Sequence, residues 1–179
     1  NELLWNNLDD GIYHWNVICN DSLAASEISD NDTFTIDTTS PLTDNVSFLP
    51  TNITNRTVDV ILQANVNESN VSYSKVQEAE YFIDGFTGDG NGTAMTAYEG
   101  TYGVSEKIVA RAQIETSALD KGIRNVCVHG KDTNGNWGAL ACANLEVQNI
   151  DPVLNTIANQ TIKQGQTLQL YQVIQTLII

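Results

Sequence analysis

Apolar and polar residues alternate at every second position along much of the chain, and apolar spacing of the helical kind is nearly absent. In residues 56–65, Val58, Val60, Leu62 and Ala64 fall on one face; in 104–114, Val104, Ile108, Ala110, Ala112 and Ile114 do the same. Residues 76–84 predict another strand, which runs into the glycine-rich stretch 85–92, where a strand cannot persist. Residues 122–131 and 139–148 predict a hairpin around Asp132-Thr-Asn-Gly-Asn136, because Asn-Gly is a strong signal for a tight turn. Short strands near 45–49 and 95–98 bring the total to about seven in 110 residues, with room for one helical turn at 117–121. That density of short strands predicts an all-β fold, an antiparallel sandwich of two sheets.

The chain also repeats itself. Residues 8–21 and 119–132 align without a gap at an offset of 111, with six of fourteen positions identical. The offset holds further on, at Phe34/Leu145, Ile36/Val147 and Pro41/Pro152. Proline cannot donate to a strand ladder, so Pro41 and Pro152 read as boundaries. The expected organisation is therefore tandem immunoglobulin-like modules: the C-terminal part of one in 1–41, a complete sandwich in 42–151, and the N-terminal part of a third in 152–179.

Three stretches carry a resemblance. Ala79-Glu-Tyr-Phe-Ile-Asp-Gly85, Gly92-Thr-Ala-Met-Thr-Ala97 and His129–Gly138 resemble the Ig-like repeats of secreted bacterial proteins. Residues 8–41 are similar to the ends of Ig-like modules in archaeal surface proteins, and 152–170 to the openings of cadherin-like sandwich domains. The resemblance implies a non-catalytic extracellular module of fibronectin III or cadherin-like type, without implying a ligand. Residues 171–179 depart from it by lacking an Asp-rich continuation.

Charge narrows the partners. With 22 acidic and 8 basic residues the net charge is −14, a field that repels a phosphate backbone and excludes a nucleic-acid binder of the usual kind. No apolar run approaches the roughly 20 residues that span a bilayer. No signal peptide opens the chain, and Asn1 in place of Met suggests a piece of a longer protein.

Cysteines and asparagines point to a compartment. With the hairpin turn centred between Asn134 and Gly135, facing residues sum to 269, which sets Cys127 opposite Cys142 and turns Val126, Val128, Ala141 and Ala143 inward. A Cys127–Cys142 disulfide is expected. Cys19 shares a face with Tyr13, Trp15 and Val17, the expected core face of its module. N-glycosylation sequons stand at Asn20, Asn31, Asn45, Asn52, Asn55, Asn67, Asn70, Asn91 and Asn159, nine where composition alone gives 20 × 28/179, about three. A glycosylated protein of the cell surface or exterior is the expectation.

Reactive groupings are scarce. The motifs of nucleophile elbows, zinc helices and phosphate loops are absent from the sequence. His14 and His129 read as surface strand residues, and Glu78 and Glu80 carry no weight as a catalytic pair in so acidic a chain. Calcium is the one cofactor candidate: Asp132, Asn134 and Asn136 have the spacing that opens oxygen-ligand loops, and Asp84, Asp89 and Asn91 frame another loop. Trp5, Trp15 and Trp137 could stack on sugar, although Trp15 reads as core and Trp137 as a cover for the sandwich end. The expected role is a structural spacer or adhesive stalk, with neighbouring repeats, like subunits or cell-surface glycans as partners. The alternatives are an accessory module of a secreted hydrolase, or a filament subunit that donates the apolar strand 168–179 to its neighbour.

Overall fold

The computed structural model describes residues 7–22, 26–68, 73–148, 161 and 163–165. Trp5, Asn70, Asn159, and nearly all of 152–179, including the expected donor strand, lie outside the described residues. Every regular element described is a strand, apart from one 3-10 turn at Thr116–Ala118 where a helical turn is expected.

The first four strands form two small ladders. Strand β1 (Gly11–Trp15) pairs antiparallel with β4 (Asp32–Ile36), and β2 (Ile18–Asn20) with β3 (Ser26–Ile28). Tyr13 and Phe34 face each other across the first ladder with their rings stacked at 5.2 Å.

Nine strands follow: β5 (Leu42–Leu49), β6 (Ile53–Thr54), β7 (Val60–Asn67), β8 (Val76–Ile83), β9 (Thr93–Ala94), β10 (Thr96–Glu99), β11 (Lys107–Ile114), β12 (Gly122–Asp132) and β13 (Ala141–Val147). They build a four-stranded sheet in the order β10-β11-β7-β5 and a five-stranded sheet in the order β6-β13-β12-β8-β9. After β5 the chain changes sheets at Pro50, and β6 joins β13 in parallel, the sandwich's one parallel pairing. This is the immunoglobulin-like β-sandwich, with β5, β7, β11 and β10 in the places of strands A, B, E and D, and β8, β12 and β13 in those of C, F and G.

The alternation is the cause of this core. Strand β7 buries Val60, Leu62, Ala64 and Val66 and leaves the residues between them half-exposed. Ile108, Ala110 and Ile114 of β11 lie beside them, and Val76, Val126, Val128, Leu145 and Val147 close the core from the other sheet. Val58 and Val104, expected on the buried faces, are exposed because each lies outside the strand that follows it.

The hairpin register is the one counted from the sequence: Gly122 faces Val147 and Cys127 faces Cys142, each pair summing to 269. Cys127 and Cys142 are joined by a disulfide that closes a sequence separation of 15. Replacing both by Ser is expected to lower stability by about 3 kcal/mol through the freed denatured chain, read as a drop in the urea midpoint with the slope little changed.

The two repeats share a register. In the β1–β4 ladder Gly11 faces Ile36 and Tyr13 faces Phe34, pairs that sum to 47. Adding the offset of 111 to both members turns 47 into 269, the sum that governs β12 and β13. The Leu8 and Leu119 stretches thus enter equivalent hairpins.

Their burial differs. Val126, Val128 and Leu145 are fully buried, whereas their counterparts Trp15, Val17 and Phe34 are 45%, 52% and 37% exposed. Cys19 is exposed as well. The expectation that Trp15 and Cys19 are core residues is therefore corrected. Alternation places them on the apolar face, but among the described residues no second sheet covers it.

Candidate functional site

The most elaborate polar grouping lies on the outer face of the five-stranded sheet. Strand β8 presents Glu78, Glu80 and Phe82 outward, and β12 presents Lys131, His129 and Cys127 opposite them. Alternation places His129 outward, yet it is only 1% exposed, so its expected position at the surface is corrected. The cause is the glycine-rich loop, which folds back over this face, together with Trp137, whose ring stacks on the imidazole at 4.5 Å. Phe82 and Phe86 meet the imidazole edge-on at 5.6 and 5.7 Å.

Glu80, likewise buried, organises this layer. Its Oε1 accepts from the Gly90 amide and its Oε2 from the Gly92 amide, both at 2.8 Å, so one carboxylate fixes two points of the loop. Glycine is required at 92 because a Cβ would approach Phe82 and the Tyr81 carbonyl within 2.8 and 2.9 Å; Gly88 and Gly90 have positive φ. His129 Nε2 lies 2.7 Å from Glu80 Oε1 and Nδ1 lies 3.1 Å from the Gly138 carbonyl oxygen. Both partners are acceptors, so both bonds form together when each ring nitrogen carries a proton. Both nitrogens face protein acceptors, the Asp89 carboxylate lies 4.0 Å from Nδ1, and the rings of Phe82, Phe86 and Trp137 surround the imidazole. The arrangement is chemically suited to holding a loop on a sheet.

The Asp132–Asn136 turn gathers the three expected calcium ligands. Asp132 is buried; its Oδ1 accepts from the Asn134 and Asn136 amides at 2.8 and 2.9 Å, and its Oδ2 from the Asn136 side-chain amide at 2.8 Å and the Ser74 hydroxyl at 3.4 Å. These bonds serve the turn. Asn134 and Asn136 aim N–H groups, and no oxygen, at Asp37 of the preceding linker. Among the described residues no group of three or more His, Cys, Asp or Glu is placed to hold a metal.

The other expected residues are dispersed. Asp84 sits at the far end of β8, where Arg124 at 2.8 Å and the Asn125 amide at 2.9 Å hold its carboxyl below the usual carboxylate range. Asn91 bonds within its own loop, to the Thr87 and Asp89 carbonyls. Of the sequons, Asn20, Asn31, Asn45, Asn52, Asn55 and Asn91 are exposed and Asn67 is half-buried. Asn45 occupies the irregular stretch of edge strand β5 with a φ of 52°. His14 is exposed, and Trp137 and Trp15 lie in different ladders, Trp15 in β1 and Trp137 beyond the end of β12. Sequence reasoning missed the Glu80–His129 pair. The facing register of β8 and β12 was its only signal, and nothing in a glycine-rich run says which face it will cover.

No protein-family model and no curated protein matches this chain. Among solved structures it is similar to the fibronectin(III)-like modules of Clostridium thermocellum CbhA, at 11% identity and a TM-score of 0.43, over 84% of this chain and 70% of that one. It is also similar to the SrpA adhesin of Streptococcus sanguinis, at 15% identity and a TM-score of 0.42, over 69% and 67% of the two chains. Among the described residues no helix is long and apolar enough to cross a membrane.

Proposed function

We propose that this chain is a non-catalytic segment of tandem immunoglobulin-like modules in a secreted or cell-surface protein, where it acts as a spacer or adhesive stalk. One observation carries the reading: the β1–β4 hairpin repeats the register of β12–β13 while, among the described residues, its apolar face lies open. A hairpin that reproduces the closing pair of a sandwich, with Trp15, Val17 and Phe34 where that sandwich buries Val126, Val128 and Leu145, is the closing pair of a module whose other sheet comes from elsewhere in the longer protein. On this reading residues 1–41 end one module, 42–151 make a whole one and 152–179 begin a third.

Three features support an extracellular setting: the Cys127–Cys142 disulfide, the excess of sequons, and the exposure of six of them. The partners are then neighbouring repeats or like subunits. The commitment of both His129 nitrogens to fixed acceptors supports the non-catalytic part of the reading.

The test is hydroxyl-radical footprinting of Trp15 and Phe34 in this chain and in a longer product carrying the natural upstream sequence. Strong protection in the longer product is the expected result. Equal labelling of both residues in the two products removes the tandem reading.

A further inference from the structure

We infer that the Asp132–Asn136 turn and Gly138 form the seat of the linker preceding the sandwich, so that residues 37–41 make a stiff joint between consecutive modules rather than a flexible tether. Three independent holds converge on these five residues.

The first comes from the hairpin side. Asp10 Oδ1 accepts the Thr38 amide at 3.0 Å and the Thr38 hydroxyl at 2.9 Å, and its Oδ2 accepts the Thr39 hydroxyl at 2.8 Å. These bonds, that of the Thr39 hydroxyl foremost, hold the Asp10 carboxyl below its usual range, so it stays an acceptor. The second comes from the sandwich side, where the Asn136 side-chain amide donates to the Asp37 carbonyl at 2.9 Å and that of Asn134 to Asp37 Oδ2 at 3.3 Å. Asp37 Oδ1 in turn accepts the Thr39 amide at 3.0 Å, which folds the linker on itself. The third is steric. Pro41 is buried, and a Cβ at position 138 would collide with its carbonyl oxygen, so the linker lies flat where only glycine lets it.

A flexible linker leaves its backbone groups to water. Here the Thr38 and Thr39 amides and the Asp37 carbonyl all have protein partners. The Asn-rich turn that resembles an ion loop thus has an occupant already, the linker. The carboxylate clamp is specific to this joint. At the offset of 111, Lys121 replaces Asp10, and Asn149 and Ile150 replace Thr38 and Thr39. The inference takes from the proposed function only the reading of residues 1–41 as a module's end.

Backbone 15N relaxation on the full chain tests it. The Thr38 and Thr39 amides are expected to be as rigid as those of β7, with order parameters of about 0.85, falling below about 0.6 in Asp10→Ala. Asn134→Ala, an exposed change within the turn, is expected to loosen the same amides while the core amides of Leu62 and Val128 keep their shifts, which separates a freed joint from an unfolded module. Linker amides already mobile in the parent chain, or equally rigid in both variants, would overturn the stiff joint. The footprinting of Trp15 does not depend on the linker, so failure of the joint and failure of the tandem reading are told apart.

Discussion

The variant His129→Ala is expected to unfold with a free energy about 3–5 kcal/mol lower than that of the parent chain, the loss typical of leaving one member of a buried, hydrogen-bonded pair alone. Glu80 would keep its two glycine amides, but its Oε1 would face a void where the imidazole stood, and the Trp137 ring would lose the surface on which it stacks. Glu80→Ala removes more contacts, because it frees Gly90 and Gly92 as well as His129. The measurement is urea unfolding of both single variants and the double variant. In a double-mutant cycle the double variant is expected to lose much less than the sum of the singles, since the second change removes a partner already stranded. Losses below about 1 kcal/mol for both singles, as for surface substitutions, would show that the loop and sheet hold together without the pair. A second reading of the same variants is local: hydrogen exchange at the Gly90 and Gly92 amides is expected to speed up more than exchange in β7.

Leu145→Ala and Phe34→Ala occupy equivalent places in the two hairpins and are expected to behave differently. Leu145 is fully buried between the sheets, so its truncation leaves a cavity and costs about 2–5 kcal/mol. Phe34 is 37% exposed and stacks on Tyr13 alone among the aromatic rings described, so its truncation is expected to leave the main unfolding transition in place within about 0.5 kcal/mol. Far-UV circular dichroism through a thermal ramp distinguishes the two. If Phe34→Ala destabilises the sandwich as much as Leu145→Ala does, the first hairpin is packed into the same core, and the open face inferred for it is wrong.

How much of this was legible beforehand follows from what each signal encodes. Strand β7 could be read because one face of it must be apolar wherever its sheet packs on another, and Val60, Leu62, Ala64 and Val66 show that rule without interruption. The β12–β13 pairing was legible where alternation sets Cys127 against Cys142, but beside the turn Lys131 faces Trp137, one residue off that count, so the Asn-Gly signal located the turn without fixing its centre. Trp15 and His129 were misjudged for opposite reasons. Alternation names a face but not its cover: the apolar face of Trp15 has none among the described residues, and the polar face of His129 acquires one from a loop. Asp132, Asn134 and Asn136 were recognised as oxygen- and amide-bearing neighbours. What they contact depends on where the linker runs, a long-range fact that spacing within the turn does not contain.

The covalent tie between Cys127 and Cys142 has a mechanical side. Under the stalk role proposed above, a pull on the chain would enter this sandwich at Leu42 and leave at Val147, so the parallel β6–β13 pair would be loaded lengthwise with its bonds together. Once that pair shears and the layers part, the chain between the two sulfurs still cannot extend. With a separation of 15 residues, the module stops lengthening roughly 50 Å short of its full reach, and the last hairpin survives as the template on which the strands can find their places when the pull relaxes.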